Sequence, residues 1–173
     1  MDFNISETVC FTGHRPSKLG GYNENNPVMQ YVKRELAAKI DAAIANGHKT
    51  FISGMALGVD TVAAEIVLAR RSTGSSIRLI AAIPFSGQEN RWNEESRVHW
   101  ANIVQAADGV FYVNAPGYAA WKMQTRNEWM VDRSSLVIAV WDGTSGGTGN
   151  CVKYARKAIH RPTITTINPK ETA

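Results

Sequence analysis

LVIAVWDGTSGGTGN, residues 136–150, is the stretch that decides the fold. Its first six residues are apolar and half of them are β-branched, which predicts a buried strand. The glycine-rich run predicts a turn, and Val152, Ala155 and Ile159 predict a helix that opens near Asn150. A strand, turn and helix in this order present backbone N–H groups, at the positive end of a helix dipole, to an anion above the sheet. Glycines let the main chain approach a phosphate closely, so we expect a phosphorylated, nucleotide-type ligand.

Apolar and amphipathic runs alternate along the whole chain. We predict strands at Thr8–Thr12, Thr50–Ser53, Ile77–Ile83, Gly109–Val113, Leu136–Trp141 and Pro162–Ile167. We predict helices from Pro27 to Asn46, from Asp60 through Val67, from Asn93, over Ala119–Arg133 and over Asn150–Ile159. Most strands are apolar throughout, as expected of parallel strands covered on both faces. The sequence therefore predicts one α/β domain, residues 1–173, with a Rossmann-like, doubly wound, mainly parallel sheet and helices on both faces.

The composition is that of an ordinary globular protein. Of the 173 residues, 44% are hydrophobic and 20% are charged, and the net charge of +4 favours an anionic ligand only slightly. Cys10 and Cys151 form no disulfide or metal framework. No apolar run approaches the about 20 residues that cross a bilayer. We expect a soluble, cytoplasmic protein without a signal peptide or a membrane partner.

In doubly wound sheets, ligands bind at the carboxyl ends of the strands, so the residues after each strand are candidates for the site. In the segment Thr12–Pro16, Gly13 permits a tight turn and Arg15 provides a planar fork for phosphate. His14 is a candidate for proton transfer or for a pH-sensitive ligand contact, the roles that histidine often has in proteins. The alternative is a turn with an exposed basic pair.

Two further loops carry candidate ligand contacts. Gly54 and Gly58 precede a helix and form a second candidate phosphate cradle, with Asp60 favoured as the helix N-cap over a contact to ribose hydroxyls. After the third strand, Gln88 is a candidate to read a base or a ribose, and Trp92 is a candidate to stack on a base. The alternative for Trp92 is that it folds back over the core.

The fourth predicted helix carries two polar residues on a face suited to packing. Met123, Arg126 and Met130 are spaced three and four residues apart, which places them on one helix face, and Asn127 lies beside them. Because buried polar groups need partners, we favour a ligand contact for Arg126 and Asn127. The alternative is an arginine that extends along the surface to reach water.

Three well-known motifs are absent. The final loop has no lysine of the G-x-x-x-x-G-K-[ST] kind, and the first turn is not G-x-G-x-x-G. The four histidines are scattered, without H-E-x-x-H spacing. We therefore expect no metal and no resident cofactor, and we assign no catalytic residue.

Five blocks of sequence follow one another from Thr8 to about Ala158. They are Thr12-Gly13-His14-Arg15-Pro16, the run from Ser53 to Asp60, Pro84-Phe85 with Gln88 and Trp92, Arg126-Asn127 with Met130-Val131-Asp132, and Trp141-Asp142-Gly143 leading to Gly146-Gly147-Thr148. In this combination they resemble the YpsA-like branch of the SLOG superfamily over nearly the whole chain. The resemblance implies a Rossmann-like sheet with a nucleotide-type ligand over the strand ends.

The same resemblance implies a class of function. The superfamily also contains the cytokinin-activating LOG phosphoribohydrolases and the DprA-type DNA-binding proteins. YpsA-like members look like binding domains for nucleotide derivatives, such as ADP-ribose or NAD-related molecules, and are suspected of roles in stress, cell division and phage conflict. The resemblance thus implies a sensor or sequestering module, and by analogy with its relatives a homodimer.

One departure from the LOG pattern bears on catalysis. LOG enzymes have an arginine that Arg126 matches, and a glutamate just after P-G-G-x-G-T, near whose place this chain has Lys153. Cleavage of a glycosidic bond needs a nearby carboxylate, which leaves only substitutes such as Asp60, Asp132 or Asp142. A LOG-like nucleotide hydrolase is therefore the second hypothesis. DprA-like binding of single-stranded nucleic acid through dispersed arginines is the third, and we do not expect nucleic acid as the partner.

The predicted ligand-binding set gathers the residues of all these loops. It consists of Thr12, Gly13, His14, Arg15, Gly54, Met55, Ala56, Gly58, Asp60, Gln88, Trp92, Arg126, Asn127, Asp142, Gly146, Gly147, Thr148 and Asn150.

Overall fold

The apolar runs form one six-stranded sheet in the computed structural model, which describes residues 2–172. The strands are β1 (Thr8–Gly13), β2 (Thr50–Ser53), β3 (Arg78–Ile83), β4 (Gly109–Tyr112), β5 (Leu136–Val140) and β6 (Thr163–Ile167). Their order across the sheet is β4-β3-β2-β1-β5-β6, and every neighbouring pair is parallel. The predicted fold class is confirmed.

Five α-helices connect the strands. They are α1 (Pro27–Ala45), α2 (Val59–Ser72), α3 (Glu94–Ala106), α4 (Ala120–Val131) and α5 (Gly147–Lys157), and two short 3-10 helices lie at Ile5–Glu7 and Pro16–Lys18. Asn26 begins α1 because its side chain accepts a hydrogen bond of 2.9 Å from the N–H of Met29. Asn93 caps α3 in the same way, with a bond of 2.8 Å from the N–H of Ser96.

Two apolar clusters hold the helices to opposite faces of the sheet. Successive strand residues point to opposite faces, so Phe11 packs in the cluster with α1, α2 and α3, whereas Cys10 packs in the cluster with α4 and α5. Leu36 and Val62 belong to the first cluster, and Met130 belongs to the second. The two covered faces explain why the strands are apolar throughout. Within residues 2–172, no helix is both long enough and apolar enough to cross a membrane.

Two predicted element boundaries are wrong at the glycine-rich segment. Strand β5 ends at Val140, so Trp141 already belongs to the loop. Helix α5 begins at Gly147, not at Asn150, and ends at Lys157, which leaves the side chain of Ile159 fully exposed. Glycines have low helix propensity, so the sequence hides a first turn that contains Gly147 and Gly149.

The predicted cap of α2 is also wrong. Gly58 is the N-cap, and Asp60 is the second residue of the helix. The Asp60 carboxylate turns back and accepts a hydrogen bond of 3.2 Å from the N–H of Ala56 in the preceding loop. The carboxylate therefore orders the loop after β2 instead of the helix end.

The strand order reverses at β1. From this central strand the chain builds β2, β3 and β4 to one side, and then returns to build β5 and β6 on the other side. A crevice at the carboxyl ends of the strands is expected at such a point. The loops that follow β1, β2 and β5 meet there.

Candidate functional site

A cavity of about 280 Å³ lies at the carboxyl ends of β1, β2 and β5, and we call it the first cavity. Most of the predicted ligand-binding residues line it, namely Thr12, Gly13, His14, Arg15, Ala56, Asp60, Arg126, Asn127, Gly146, Gly147 and Thr148. The structure thus brings three loops and one helix face, separated by more than one hundred residues of sequence, around one space.

The amino end of α5 opens directly onto this cavity. Gly146 is its N-cap, and no side chain among residues 2–172 caps it. The N–H groups of Gly147, Thr148 and Gly149 have no carbonyl one turn earlier to bond, as in the first turn of any helix. This first turn contains no acidic residue, so its dipole and N–H groups are available to an anion.

Three cationic side chains and one carboxylate line the same cavity. Arg15 and Lys18 are exposed, whereas Arg126 is only 4% exposed and Asp60 only 5% exposed. Burial lowers the pKa of Arg126, and the charge of Asp60 opposes this effect. Burial raises the pKa of Asp60, opposed first by the charge of Arg126 and then by the N–H of Ala56. Each group thus favours the charged form of the other, and the cavity keeps an excess of positive charge.

Arg126 is held in place by two hydrogen bonds. Its Nη1 donates to the carbonyl oxygen of Gly54, and its Nε donates to Oδ1 of Asn127 at 3.0 Å. A Cβ at position 54 would collide with the Arg126 guanidinium and with the Asp60 carboxylate, so glycine is required there. These contacts fix the guanidinium at the cavity wall, which contradicts the alternative of an arginine that reaches along the surface to water.

Gly58 is required for a different reason. Its φ of +96° lies in the left-handed region, and a Cβ there would lie 2.6 Å from the carbonyl oxygen of His14. The loop after β2 therefore packs so closely against the loop after β1 that no side chain fits at position 58. Gly54 and Gly58 shape the first cavity without lining it.

Asp142 organises the glycine-rich loop without lining the first cavity. Its carboxylate accepts hydrogen bonds from the Thr144 hydroxyl at 2.6 Å and the Thr144 N–H at 3.1 Å, and it lies 3.0 Å from Nζ of Lys170. Nε2 of His14 lies 2.8 Å from the same carboxylate. The Thr144 hydroxyl, Lys170 and His14 hold the pKa of Asp142 well below its usual range. This carboxylate is therefore saturated with partners.

A second cavity of about 480 Å³ adjoins the first, and Arg15 and Met123 line both. Gln88 and Trp92 line this second cavity together with Phe85 and Tyr118. Trp92 also packs against the core, with its ring edge-on to Trp100 at 6.4 Å. Trp92 thus presents one part of its surface to the cavity, where stacking on a base is predicted, and another part to the core, as in the alternative.

Five predicted residues line neither cavity. Gly54, Gly58 and Asp142 adjoin residues that do, namely Arg126 and His14, whereas Met55 and Asn150 have other surroundings. Met55 has a positive φ of 57° and a fully buried side chain that packs in the core. Asn150 is exposed on α5, and its N–H already bonds the carbonyl oxygen of Gly146 at 2.9 Å. Both follow from the local backbone, which the sequence pattern does not reveal.

Six residues outside the predicted set also line the first cavity, and they are Ser17, Lys18, Met123, Thr144, Ser145 and Gly149. Lys18 reaches the first cavity because Pro16 begins a 3-10 turn there. The Nζ of Lys18 lies 2.8 Å from the Thr144 hydroxyl. Ser145 could have been found as the serine of a G-x-S-x-G pattern at 143–147. Within residues 2–172, however, its hydroxyl bonds no histidine, so the geometry is not that of a catalytic triad.

The described residues contain no group of three or more histidine, cysteine, aspartate or glutamate side chains placed to hold a metal ion. That the protein binds no metal ion therefore stays a prediction. The polar groups of the first cavity are instead those that bind an anion.

Comparison with known proteins identifies the family. The sequence model YpsA, described as the YspA SLOG family, matches residues 9–171. The chain belongs to this family. It is 35% identical over 144 residues to the uncharacterized SPbeta prophage-derived protein YoqJ of Bacillus subtilis, which covers 76% of this chain and 84% of the relative. It is 29% identical over 143 residues to the UPF0398 protein BH1768 of Halalkalibacterium halodurans, which covers 82% of this chain and 76% of the relative.

Two solved structures of DNA processing protein A share the fold. The protein from Streptococcus pneumoniae superposes with a TM-score of 0.64 at 17% identity, over 94% of this chain and 50% of that one. The protein from Helicobacter pylori, for which a single-stranded DNA binding mode is described, superposes with a TM-score of 0.63 at 18% identity, over 95% of this chain and 66% of that one. The YspA SLOG chain thus spans about half of the Streptococcus pneumoniae protein and just under two thirds of the Helicobacter pylori protein. At identities this low, the similarity shows a shared fold and nothing more.

Proposed function

We propose that this YspA SLOG chain binds a nucleotide-derived small molecule, of the ADP-ribose or NAD-related kind, with a phosphate in the first cavity. One observation carries the proposal. The uncapped first turn of α5 faces the same space as Arg15, Lys18 and the buried Arg126. Backbone N–H groups and guanidinium forks are the groups that bind phosphate in proteins.

The charge of the cavity supports an anionic occupant. Asp60 offsets only one of the three cations, and it is already engaged by the N–H of Ala56. The first turn of α5 adds the positive end of a helix dipole. With Asp142 saturated by its own partners, the loop offers N–H donors and no free carboxylate, which favours holding a nucleotide over cutting one. We therefore assign the protein the role of a cytoplasmic sensor or sequestering module.

The experiment compares two variants that add the same charge to α5. Gly147→Glu places a carboxylate at the cavity, and a Cβ at this position meets no atom within 4 Å. Asn150→Glu places one on the same helix at an exposed residue outside the cavity. An acidic residue in the first turn stabilises a helix, so the melting temperature of Gly147→Glu should stay level or rise.

Binding of ribose 5-phosphate, measured by isothermal titration calorimetry, is the readout. We expect Gly147→Glu to weaken binding at least tenfold through like-charge repulsion, and Asn150→Glu to bind within about threefold of the wild type. Equal affinity of both variants and the wild type would refute a phosphate site at α5. Absence of any binding to the wild type would refute the proposed function itself.

A LOG-like nucleotide hydrolase is the second candidate, and the position of Asp60 is the observation that favours it. Of the three carboxylates that could replace the LOG glutamate, only Asp60 lines the first cavity, and burial raises its pKa as a proton donor requires. Lys153 is exposed on α5 and does not line the cavity. Release of free base from AMP or NAD, detected by chromatography and abolished by Asp60→Asn, would establish this activity. No release with enzyme in excess of substrate would dismiss it.

Single-stranded DNA binding is the third candidate, because a protein of the same fold is described in that role. Two of the arginines that would supply a basic surface are already paired. Arg70 makes a two-bond contact to Asp41 at 2.6 and 3.0 Å, and Arg71 lies 2.6 Å from Asp108. DNA binding would appear as a gel shift that weakens steeply with salt. No shift of an oligothymidine at low salt would exclude it.

We also propose a homodimer. The edge strand β4 exposes Val110 and Tyr112, which are 38% and 54% exposed, and edge strands with apolar side chains favour association. Sedimentation velocity of the wild type beside Tyr112→Lys tests this. A wild type that sediments as a monomer at 50 μM or so contradicts it.

A further inference from the structure

We infer that the second cavity is a nucleobase subsite and that Gln88 recognises an adenine edge there. This inference rests on the proposed function, because it takes the phosphate of the same ligand to lie in the first cavity. The two cavities share Arg15 and Met123, so one molecule of nucleotide size can reach from one cavity into the other.

The side chain of Gln88 is the first observation. It is 8% exposed, and among residues 2–172 neither its Oε1 nor its Nε2 has a hydrogen-bond partner. A buried amide without partners costs free energy, and native proteins keep few of them. Gln88 lies on the wall of the second cavity, so a ligand that supplies both a donor and an acceptor recovers that cost.

The aromatic walls are the second observation. Phe85, Trp92 and Tyr118 line the cavity, and the rings of Phe85 and Tyr118 meet edge-on at 6.0 Å. Aromatic rings of this kind stack on the flat face of a base. Tyr118 is 69% exposed, so much of its surface remains open to a ligand.

The hydrogen-bonding groups of the Gln88 amide indicate which base is recognised. A glutamine amide makes two hydrogen bonds to adenine, donating to N7 and accepting from the N6 amino group. Guanine, whose edge offers two acceptors, is the partner of arginine. Arg15 lines both cavities and is assigned to the phosphate in this proposal, and the guanidinium of Arg91 lies 6.0 Å from the centroid of the Tyr118 ring, so Gln88 is the group that reads the base edge.

The test uses three probes on the whole protein: ribose 5-phosphate, AMP, and purine riboside 5′-monophosphate, which lacks the N6 amino group. GMP and CMP are added to check the choice of base. Gln88→Met keeps the size of the side chain and removes both polar atoms. Gln124→Met makes the same change on α4, where Gln124 bonds Glu128 outside both cavities.

We expect the wild type to bind AMP at least tenfold more tightly than either other probe, and Gln88→Met to lose this advantage while its affinity for ribose 5-phosphate stays unchanged. Because Gln88→Met removes unsatisfied polar atoms, the unliganded variant should melt at the same temperature as the wild type or above it. Gln124→Met should keep the wild-type preference.

Each contrary result has its own meaning. Equal binding of AMP and ribose 5-phosphate by the wild type overturns the base subsite and leaves the phosphate site standing. An AMP preference that survives Gln88→Met, or a variant that melts lower, overturns the role of Gln88. Tighter binding of GMP or CMP than of AMP overturns the assignment to adenine. Absence of binding by all probes overturns the proposed function as well.

Discussion

Nε2 of His14 lies 2.8 Å from Oδ1 of Asp142, which joins the end of β1 to the loop that leads into α5. Both side chains are almost fully buried, with 5% and 6% of their surfaces exposed. The contact spans the point at which the strand order reverses, so it sets the distance between the β1 loop and the first turn of α5. The His14–Asp142 contact therefore supports the shape of the first cavity.

Acid should weaken this support in a predictable direction. The pKa of Asp142 is held below that of an aspartate in the unfolded chain, which is about 3.9. Below about pH 5 the unfolded chain therefore binds more protons at this carboxyl group than the folded chain does. The stabilisation that Asp142 contributes is complete above that pH and is lost as the pH falls. We expect Asp142→Asn to melt below the wild type at pH 7, and the difference to shrink towards pH 3. Thermal unfolding by circular dichroism measures both curves, and a difference that is constant with pH would contradict the assignment.

Removal of Arg126 should cost stability as well as binding. Arg126→Met leaves the Asp60 carboxylate and the Gly54 carbonyl buried without their cationic partner. We expect a loss of roughly 1–3 kcal/mol in the free energy of unfolding, measured by urea denaturation. Adding Asp60→Asn should restore part of that loss, since the second variant removes the buried charge. A double variant no more stable than Arg126→Met would show that the two groups are not coupled.

Two glycines separate backbone strain from steric clash. Gly58 and Gly74 have similar positive φ values of 96° and 104°, but only at Gly58 would a Cβ meet other atoms. Gly74→Ala should therefore cost about 1–2 kcal/mol for the left-handed backbone alone. Gly58→Ala should cost more, because the added Cβ also pushes on the His14 carbonyl. Equal losses in urea denaturation would mean that the loops after β1 and β2 move apart freely.

The sequence predicts the sheet and the five helices because hydrophobic periodicity is a local property. It also predicts that the loops after β1, β2 and β5 meet, since a doubly wound sheet forces this. It does not predict that Asp60 turns back to Ala56 or that Met55 enters the core, because both depend on backbone dihedrals within one short loop. Nor does it distinguish a buried Arg126 from an exposed one, since burial depends on the distant Gly54 carbonyl.

Lys18 provides the last prediction, because the sequence pattern did not single it out and the fold brings it to the first cavity. Lys18→Met removes one cation from the cavity, whereas Lys153→Met removes one from an exposed position of α5 outside it. Both variants lower the net charge equally, so general attraction of an anion changes equally in both. We expect Lys18→Met to weaken ribose 5-phosphate binding about three- to tenfold, as for one partly exposed charged contact.

The salt dependence of the same titrations separates a direct contact from general attraction. If Lys18 contacts the phosphate, the affinity of Lys18→Met should fall less steeply between 50 and 300 mM salt, or thereabouts, than that of the wild type, because one fewer ion pair is screened. Lys153→Met should keep the wild-type slope and bind within about twofold of the wild type. Equal weakening by the two lysine variants would mean that Lys18 acts through net charge alone, and that the first turn of α5 and Arg126 hold the phosphate without it.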